Sequence, residues 1–411
     1  MKHRVAVIRQ PPRYDAELVC DSVRRAMNAL GVDWSEMIRP GERAVLKPNF
    51  IRQSHTERPD EWEQIITHGS VIAAVARKVA AAMNGHGTIT IADAPQTDSD
   101  FEEIGRRARL PELLVELARD FPKLKIEVLD LRREAWRTEN GVVVERRKLP
   151  EDPRGYTLIN LGEQSWFHGK QGRFYGADYN SSVTQQHHSE GRHEYLLSRS
   201  AMDADLFVNL PKLKTHKKVG ITVSLKNLVG INGDKNYLPH FCLGTPDEGG
   251  DEFPNNRISN KLQSKLLAIL KGSSLWTPAI KRLGAKIFGN TRAVVRSGNW
   301  YGNDTTWRMV LDLNRAFFSK PRRYISIVDG IIAGEGDGPM EADAKPCGLL
   351  LAGTNPFAVD LVAAQLMGFD WRKLPMIRNG ITDEEVEPVP EPGKPFHFKP
   401  HFGWKGHIEA E

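Results

Sequence analysis

The chain has 411 residues, enough for one large domain or two lobes over a shared core. Hydrophobic residues make up 40% and charged residues 27%, with 35 Gly and 25 Pro, which excludes collagenous, coiled-coil and wholly disordered classes. Lys and Arg number 57 against 52 Asp and Glu, and a net +5 over this length is too mild to imply nucleic-acid binding, so any anion site must be local.

From the N-terminus, Val5–Ile8 reads as a strand, Ala16–Leu30 as a helix and Arg43–Leu46 as a strand running into Lys47-Pro48-Asn49. An Ala-rich helix over Gly69–Met83 and strands at Thr88–Ala92 and Lys125–Leu129 follow. Such alternation predicts an α/β fold with a mostly parallel, helix-covered sheet. Residues 134–200 change character, rich in Arg, Gly and Tyr, and read as an antiparallel insertion with a hairpin turn at Asn140-Gly141. The α/β core is expected over 1–133 and 201–382. It resumes with a strand at Asp205–Asn209, the basic segment Pro211–Lys218 and a helix near Ser224–Val229. An irregular loop over 243–260 precedes helices at Asn260–Lys271, Thr277–Phe288 and Thr305–Phe318, strands at Tyr324–Val328 and Gly348–Ala352, and a helix at Phe357–Met367. From 383 to 411 the chain is Pro-rich and reads as an extended tail.

The first apolar run spans five residues, short of the roughly 7–15 of a secretory segment and the about 20 of a membrane span. Cys20, Cys242 and Cys347 stand far apart without CxxC spacing, so neither a disulfide framework nor a cysteine-held cluster is supported. The expectation is a cytoplasmic protein with no membrane partner, no nucleic-acid partner and no iron–sulfur cluster.

Ligands of open parallel sheets bind outside the carboxyl ends of the strands. Lys47, Asn49, Asp93, Asn209, Asp329 and Asn355 all stand at predicted strand ends. The densest run is Asn209-Leu-Pro-Lys-Leu-Lys-Thr-His216, followed by Gly220, Thr222, Ser224, Lys226 and Asn227. Lys212, Lys214 and His216 are two apart and project to one side of an extended segment. Thr222, Ser224 and the helix start would add hydroxyl and N–H donors, giving the composition of a phosphate or carboxylate cradle. A solvated basic loop is the alternative. Neither GxxxxGK[ST] nor GxGxxG is present.

The Gly-rich segment Asp329–Pro339 reads as flexible backbone at a strand end, where Asp329 and Glu335, together with Asp93, could hold a divalent cation such as Mg²⁺ or instead face the lysines. No EF-hand spacing supports the metal. His68 and His216 are the acid–base candidates, with His240 behind them. His187, His188 and His193 lack an HExxH spacing and read as a polar loop. Gly298–Arg308, with its two Trp, Tyr301, Asp304 and Arg308, fits either a site wall or core packing.

The segments Lys47-Pro-Asn49, Thr67-His68, Asp205–Gly230, Asp329-Gly330 with Glu335–Pro339, and Gly353-Thr-Asn-Pro356 with Asp360 resemble the family described as domain of unknown function 362, over about Val45 to Gly368. Some members carry an appended ferredoxin-like segment, and this chain lacks the clustered cysteines that would ligate its iron–sulfur group. The resemblance implies no defined activity. The residues themselves predict an enzyme acting on a small anionic metabolite, phosphorylated or carboxylated, with transfer, elimination and isomerisation all open. A non-catalytic anion-binding or regulatory protein is the alternative, and an iron–sulfur redox protein is disfavoured by the cysteines.

Overall fold

The computed structural model describes residues 2–139, 142–176, 181–271 and 294–410. Asn140-Gly141 and the predicted Thr277–Phe288 helix lie outside the described residues. The strands are, in chain order, β1 (His3–Arg9), β2 (Arg43–Pro48), β3 (Gly87–Asp93), β4 (Leu124–Asp130), β5 (Glu134–Glu139), β6 (Val142–Lys148), β7 (Tyr156–Asn160), β8 (Phe174–Tyr175) and β9 (Glu194–Ser198). They continue with β10 (Leu206–Leu210), β11 (Lys212–His216), β12 (Gly220–Thr222), β13 (Phe241–Cys242), β14 (Arg323–Asp337), β15 (Glu341–Gly353) and β16 (Val386–Val389). Ten of them form one mixed, mostly parallel sheet in the order β16-β1-β15-β14-β10-β2-β3-β4, with β11 paired to both β14 and β12. Among the described residues, no helix is long and apolar enough to cross a membrane.

Alternation along the strands sends side chains to two cores. Ala6, Ile8, Ala44, Leu46, Leu206 and Val208 pack under the helices Ala16–Leu30, Gly69–Ala82 and Leu110–Asp120. Val5, Val7, Val45 and Phe207 face the other side, covered by Thr306–Phe317 and Pro356–Met367. The Ala16–Leu30 helix starts where the Asp15 carboxylate accepts from the N–H groups of Glu17 and Leu18, and stops at Gly31 in a left-handed turn.

Residues 134–200 are laid down as antiparallel pairs: β5 with β6, β7 with β9, and β8 with β13 from beyond the segment. The three histidines do not form a solvated loop. His188 and His193 are buried against Phe167, His188 Nε2 meets the Tyr237 carbonyl at 2.8 Å, and His187 pairs with Glu194 at 2.6 Å. Gly298–Arg308 is packing rather than an open wall: Trp300 donates its indole N–H to the Asp251 carbonyl, while Asp304 is held by Lys170, Trp307 and Arg308.

Two expectations at the sheet change. The Gly-rich run after Asp329 is not a flexible loop but the second half of β14, paired with β15 out to Asp337↔Glu341. Its glycines make room: a Cβ on Gly334 would lie 2.9 Å from Lys214 Cγ, and one on Gly338 would lie 2.2 Å from the Thr215 carbonyl oxygen. Because β15 runs antiparallel to β1 and β14, its end emerges at the opposite edge of the sheet from the ends of β2 and β10. Asn355 is therefore away from the lysines, and its side chain caps the Pro356–Met367 helix by accepting from Phe357 and Ala358.

Beyond β16, which lies parallel to β1, the chain folds back over β11 and β12. The Trp404 indole donates to the Lys217 carbonyl at 2.8 Å, and the Lys399 N–H donates to Glu335 at 3.0 Å. Gly220 is needed where this strap crosses, since its φ is +80° and a Cβ there would lie 3.2 Å from the Trp404 ring of the strap and 2.4 Å from Leu374, upstream of β16.

Candidate functional site

The parallel register sets Lys47 on β2 beside Asn209 on β10, and Lys212 on β11 beside Asp329 on β14. Pro211 lets β10 continue into β11, and its carbonyl accepts the Asp329 N–H at 2.9 Å. Lys47, Asp93, Lys212, Lys214, Asn209, Asn227, Thr222, Ser224 and Asp329 are all buried, while Asn49, Lys226 and His68 are partly exposed.

Lys212 and Asp329 form an ion pair at 2.9 Å, sealed from water on both sides. Asp329 is saturated: it also accepts from the Tyr14 hydroxyl at 2.8 Å and from the main-chain N–H of His68 at 2.9 Å. Lys47 pairs with Asp93 at 2.7 Å, and the second oxygen of Asp93 accepts the Phe50 N–H at 2.7 Å. A Cβ on Gly230 would fall 1.9 Å from Asp93 Oδ1, so the absence of a side chain there is what admits this pair.

Between the pairs runs a ladder of amides. Asn209 donates to the Ser224 carbonyl and accepts from Asn227 at 2.7 Å, and Asn227 Oδ1 accepts from Asn49 at 2.9 Å and Lys47 at 3.2 Å. Asn49 Oδ1 accepts from Lys214 at 2.9 Å, and the Ile65 carbonyl accepts from Lys214 at 2.6 Å. Lys214 thus has only neutral oxygens as partners, and burial together with Lys212 holds its pKa well below that of a free lysine. Lys226 has no hydrogen-bond or ion-pair partner among the described residues, and burial beside Lys235 and Lys47 brings it to about 7. Lys235, which the sequence reasoning missed, donates to the Ala94 carbonyl at 2.7 Å, and burial lowers it to about 8.

Several candidate residues have roles other than those expected. Ser224 cannot offer its N–H groups to a ligand: the buried Asp360 carboxylate accepts from the Ser224 N–H at 2.7 Å and the Leu225 N–H at 3.1 Å, and the Ser224 hydroxyl meets Ser326 at 2.7 Å. The acids Asp93, Asp329 and Glu335 do not gather as a metal set. The first two are taken by Lys47 and Lys212, and Glu335, on the other face of β14 from Gly334, pairs with Lys345 at 3.0 Å. Among the described residues, no group of three or more His, Cys, Asp or Glu is placed to hold a metal ion.

His68 is clamped between Tyr14 (ring centroids 3.7 Å apart) and Trp62 (5.3 Å), where burial lowers its pKa to about 4. Its Nδ1 accepts the Ser70 N–H at 3.1 Å and so caps the Gly69–Ala82 helix. His216 Nδ1 likewise accepts the Lys218 N–H at 3.1 Å, and burial with Lys226 and Lys217 nearby keeps the ring neutral. These bonds assign the neutral tautomer with its proton on Nε2. Each imidazole is then a hydrogen-bond donor, and its one basic lone pair is already occupied, which argues against the general-base role expected for His216.

Asp360 gives a test of the internal architecture. Burial raises its carboxyl to about 7, against the opposing pull of the two N–H bonds. The folded chain therefore keeps a proton that the unfolded chain releases near pH 4, and this group's contribution to stability falls as pH rises from about 4 to about 7. Asp360→Asn is expected to flatten that part of the stability profile, and the difference between the two proteins in urea unfolding at pH 5 and pH 7.5 should reach on the order of 2–4 kcal/mol. Parallel profiles would place an ionised carboxylate at this position throughout.

The fold and site define an α/β protein with a lysine-rich cluster buried where its parallel strands end. The chain belongs to the family described as domain of unknown function (DUF362), whose sequence model matches residues 142–365. That span contains Lys212, Lys214, His216, Lys226 and Asp329, whereas Lys47, Asn49 and His68 lie upstream of it. Among curated proteins, the chain is 24% identical over 363 residues to a thylakoid-associated protein of Synechocystis sp., covering 88% of this chain and 74% of that one.

Proposed function

We propose that the lysine cluster binds a small phosphorylated or carboxylated metabolite and that the protein is an enzyme acting on it. The observation that supports this is uncompensated positive charge: Lys47, Lys212, Lys214, Lys226 and Lys235 share the directly paired carboxylates Asp93 and Asp329, and Lys214 has only neutral acceptors. Leaving such an amine as Lys214 buried without a charged partner is unfavourable, and an anion entering beside Asn49 would restore its proton and give it that partner. In this reading Lys214 holds the anion, Asn49 orients it, and His68 and His216 act as N–H donors. Lys226, neutral about half the time near pH 7, replaces His216 as the general base. With three free cysteines, a reducing, cytoplasmic location suits the chain.

A metabolite pool incubated with the protein and followed by mass spectrometry identifies the compound consumed, and heat-unfolding shifts identify ligands. Lys214→Met is expected to weaken binding of that ligand by roughly 10- to 100-fold with folding retained. Lys226→Arg keeps the cation but removes a titratable base, so binding should stay within a few-fold while turnover falls by about 10²–10⁴. Binding that survives both substitutions would return the lysines to a structural role. If the pool contains a ligand but none of it is converted, the protein is the non-catalytic anion-binding or regulatory alternative.

A further inference from the structure

Over Ile258–Leu266, the first part of the helix Ile258–Lys271, polar side chains face the body of the protein. Ser264 is buried and donates to Glu252 at 2.6 Å, Lys261 pairs with Asp247, and the Asn260 amide donates to Asn255 Oδ1 at 2.8 Å. On the opposite side, Ile258, Leu262 and Leu266 are spaced by four and form one stripe, with 75%, 64% and 45% of their surface exposed. A soluble surface helix normally arranges these the other way round.

The same stretch concentrates the charge of the molecule. Nine Lys and Arg stand between Arg257 and Arg296, with no Asp or Glu, in a chain whose whole net charge is +5, so the remainder is net acidic. The exposed Lys265 flanks the apolar stripe along one side, as expected for a helix lying in a lipid–water interface.

We propose that this face binds an anionic membrane surface, with Ile258, Leu262 and Leu266 entering the headgroup boundary and the flanking Lys265 meeting the lipid phosphates. A second copy fits less well, because two such faces would bring like charges together. Nucleic acid fits less well too, because an Ile and Leu stripe has nothing to exchange with phosphates. This proposal departs from the expectation of no membrane partner, for contact with a surface only; among the described residues no helix is long and apolar enough to span a membrane.

The full chain should sediment at low salt with phosphatidylcholine vesicles containing roughly 30 mol% phosphatidylglycerol and stay in solution with pure phosphatidylcholine. Raising NaCl to about 0.5 M should release it. Leu262→Asp with Leu266→Asp should lower the partition coefficient by about tenfold or more, and the uncharged pair Leu262→Ser and Leu266→Ser should lower it several-fold with an unchanged circular dichroism spectrum. Equal sedimentation with both vesicle types, or unaltered partition in both pairs of variants, would overturn the proposal. So would a halved solution mass in the variants, which would make the stripe a dimer contact, or retention by nucleic acid that the serine pair leaves unchanged.

Discussion

Replacing Asp329 by alanine is expected to cost about 3–5 kcal/mol of folding stability, a large share of the 5–15 kcal/mol available to an ordinary domain. The carboxylate has Lys212 at 2.9 Å, the Tyr14 hydroxyl at 2.8 Å and the His68 N–H at 2.9 Å, with no exposed surface on either member of the ion pair. Removing it takes the only carboxylate from the Lys212 ammonium, which keeps just the Tyr14 hydroxyl oxygen at 2.5 Å, and leaves the Tyr14 proton and the His68 N–H without an acceptor in a place water does not reach. Lys212 could shed its proton, and burial already lowers its pKa, yet the His68 N–H would still be unsatisfied. The loss should appear as a lower urea midpoint with little change in m-value. Lys212→Met combined with Asp329→Leu should recover part of it, because an apolar pair of similar volume carries no desolvated charge. A single alanine variant as stable as the parent would mean that solvent reaches the pair after all.

Gly230→Ala is the smallest change expected to break the site. The added methyl would sit 1.9 Å from Asp93 Oδ1 and 2.6 Å from Lys47 Nζ, and the backbone is held in place because the Gly230 carbonyl accepts the Ala94 N–H at 2.7 Å. Separating the buried pair should destabilise the fold by roughly 3 kcal/mol or more and abolish the proposed anion binding, since Lys47 and Asn49 both donate to Asn227 Oδ1. Gly105→Ala is the control: it lies within a short helix with its nearest contact at 4.0 Å, so stability should hold or rise by up to about 1 kcal/mol. Matching thermal shifts in the two variants would show that the loop at Gly230 can yield.

How much of this was legible beforehand depends on the range of each interaction. Helix limits at Ala16, Leu30 and Met367 follow from caps on the adjacent residues Asp15, Gly31 and Gly368, and these are written in the sequence. The position of the lysines at the strand ends was legible too, because the ends of parallel strands fall on one edge. What was hidden is pairing between distant segments. No local pattern shows that β15 turns against its neighbours, that Gly334 clears the stem of Lys214, or that Asp360 already occupies the N–H groups of Ser224 and Leu225. Tyr14 was missed for a related reason. It follows β1, which runs in the same direction as β14, so its strand end belongs to the same edge as Asp329, but the sheet order was needed to see it.

The partners of β1 also set a timetable for synthesis. His3–Arg9 is made before the other strands of its sheet, yet it is hydrogen-bonded to β15 and β16, whose residues begin at 341 and 386. At 5–20 residues per second, the apolar run Val5–Ile8 waits on the order of 20–70 s after its own translation before β15 exists to cover its edge. Throughout that interval the nascent chain presents an unpaired strand edge, the feature most prone to pairing with the wrong neighbour. A strand made before its neighbours is thus among the last to be secured, and the yield of the protein in a cell depends on what shields those four residues until the ribosome has made β15 and β16.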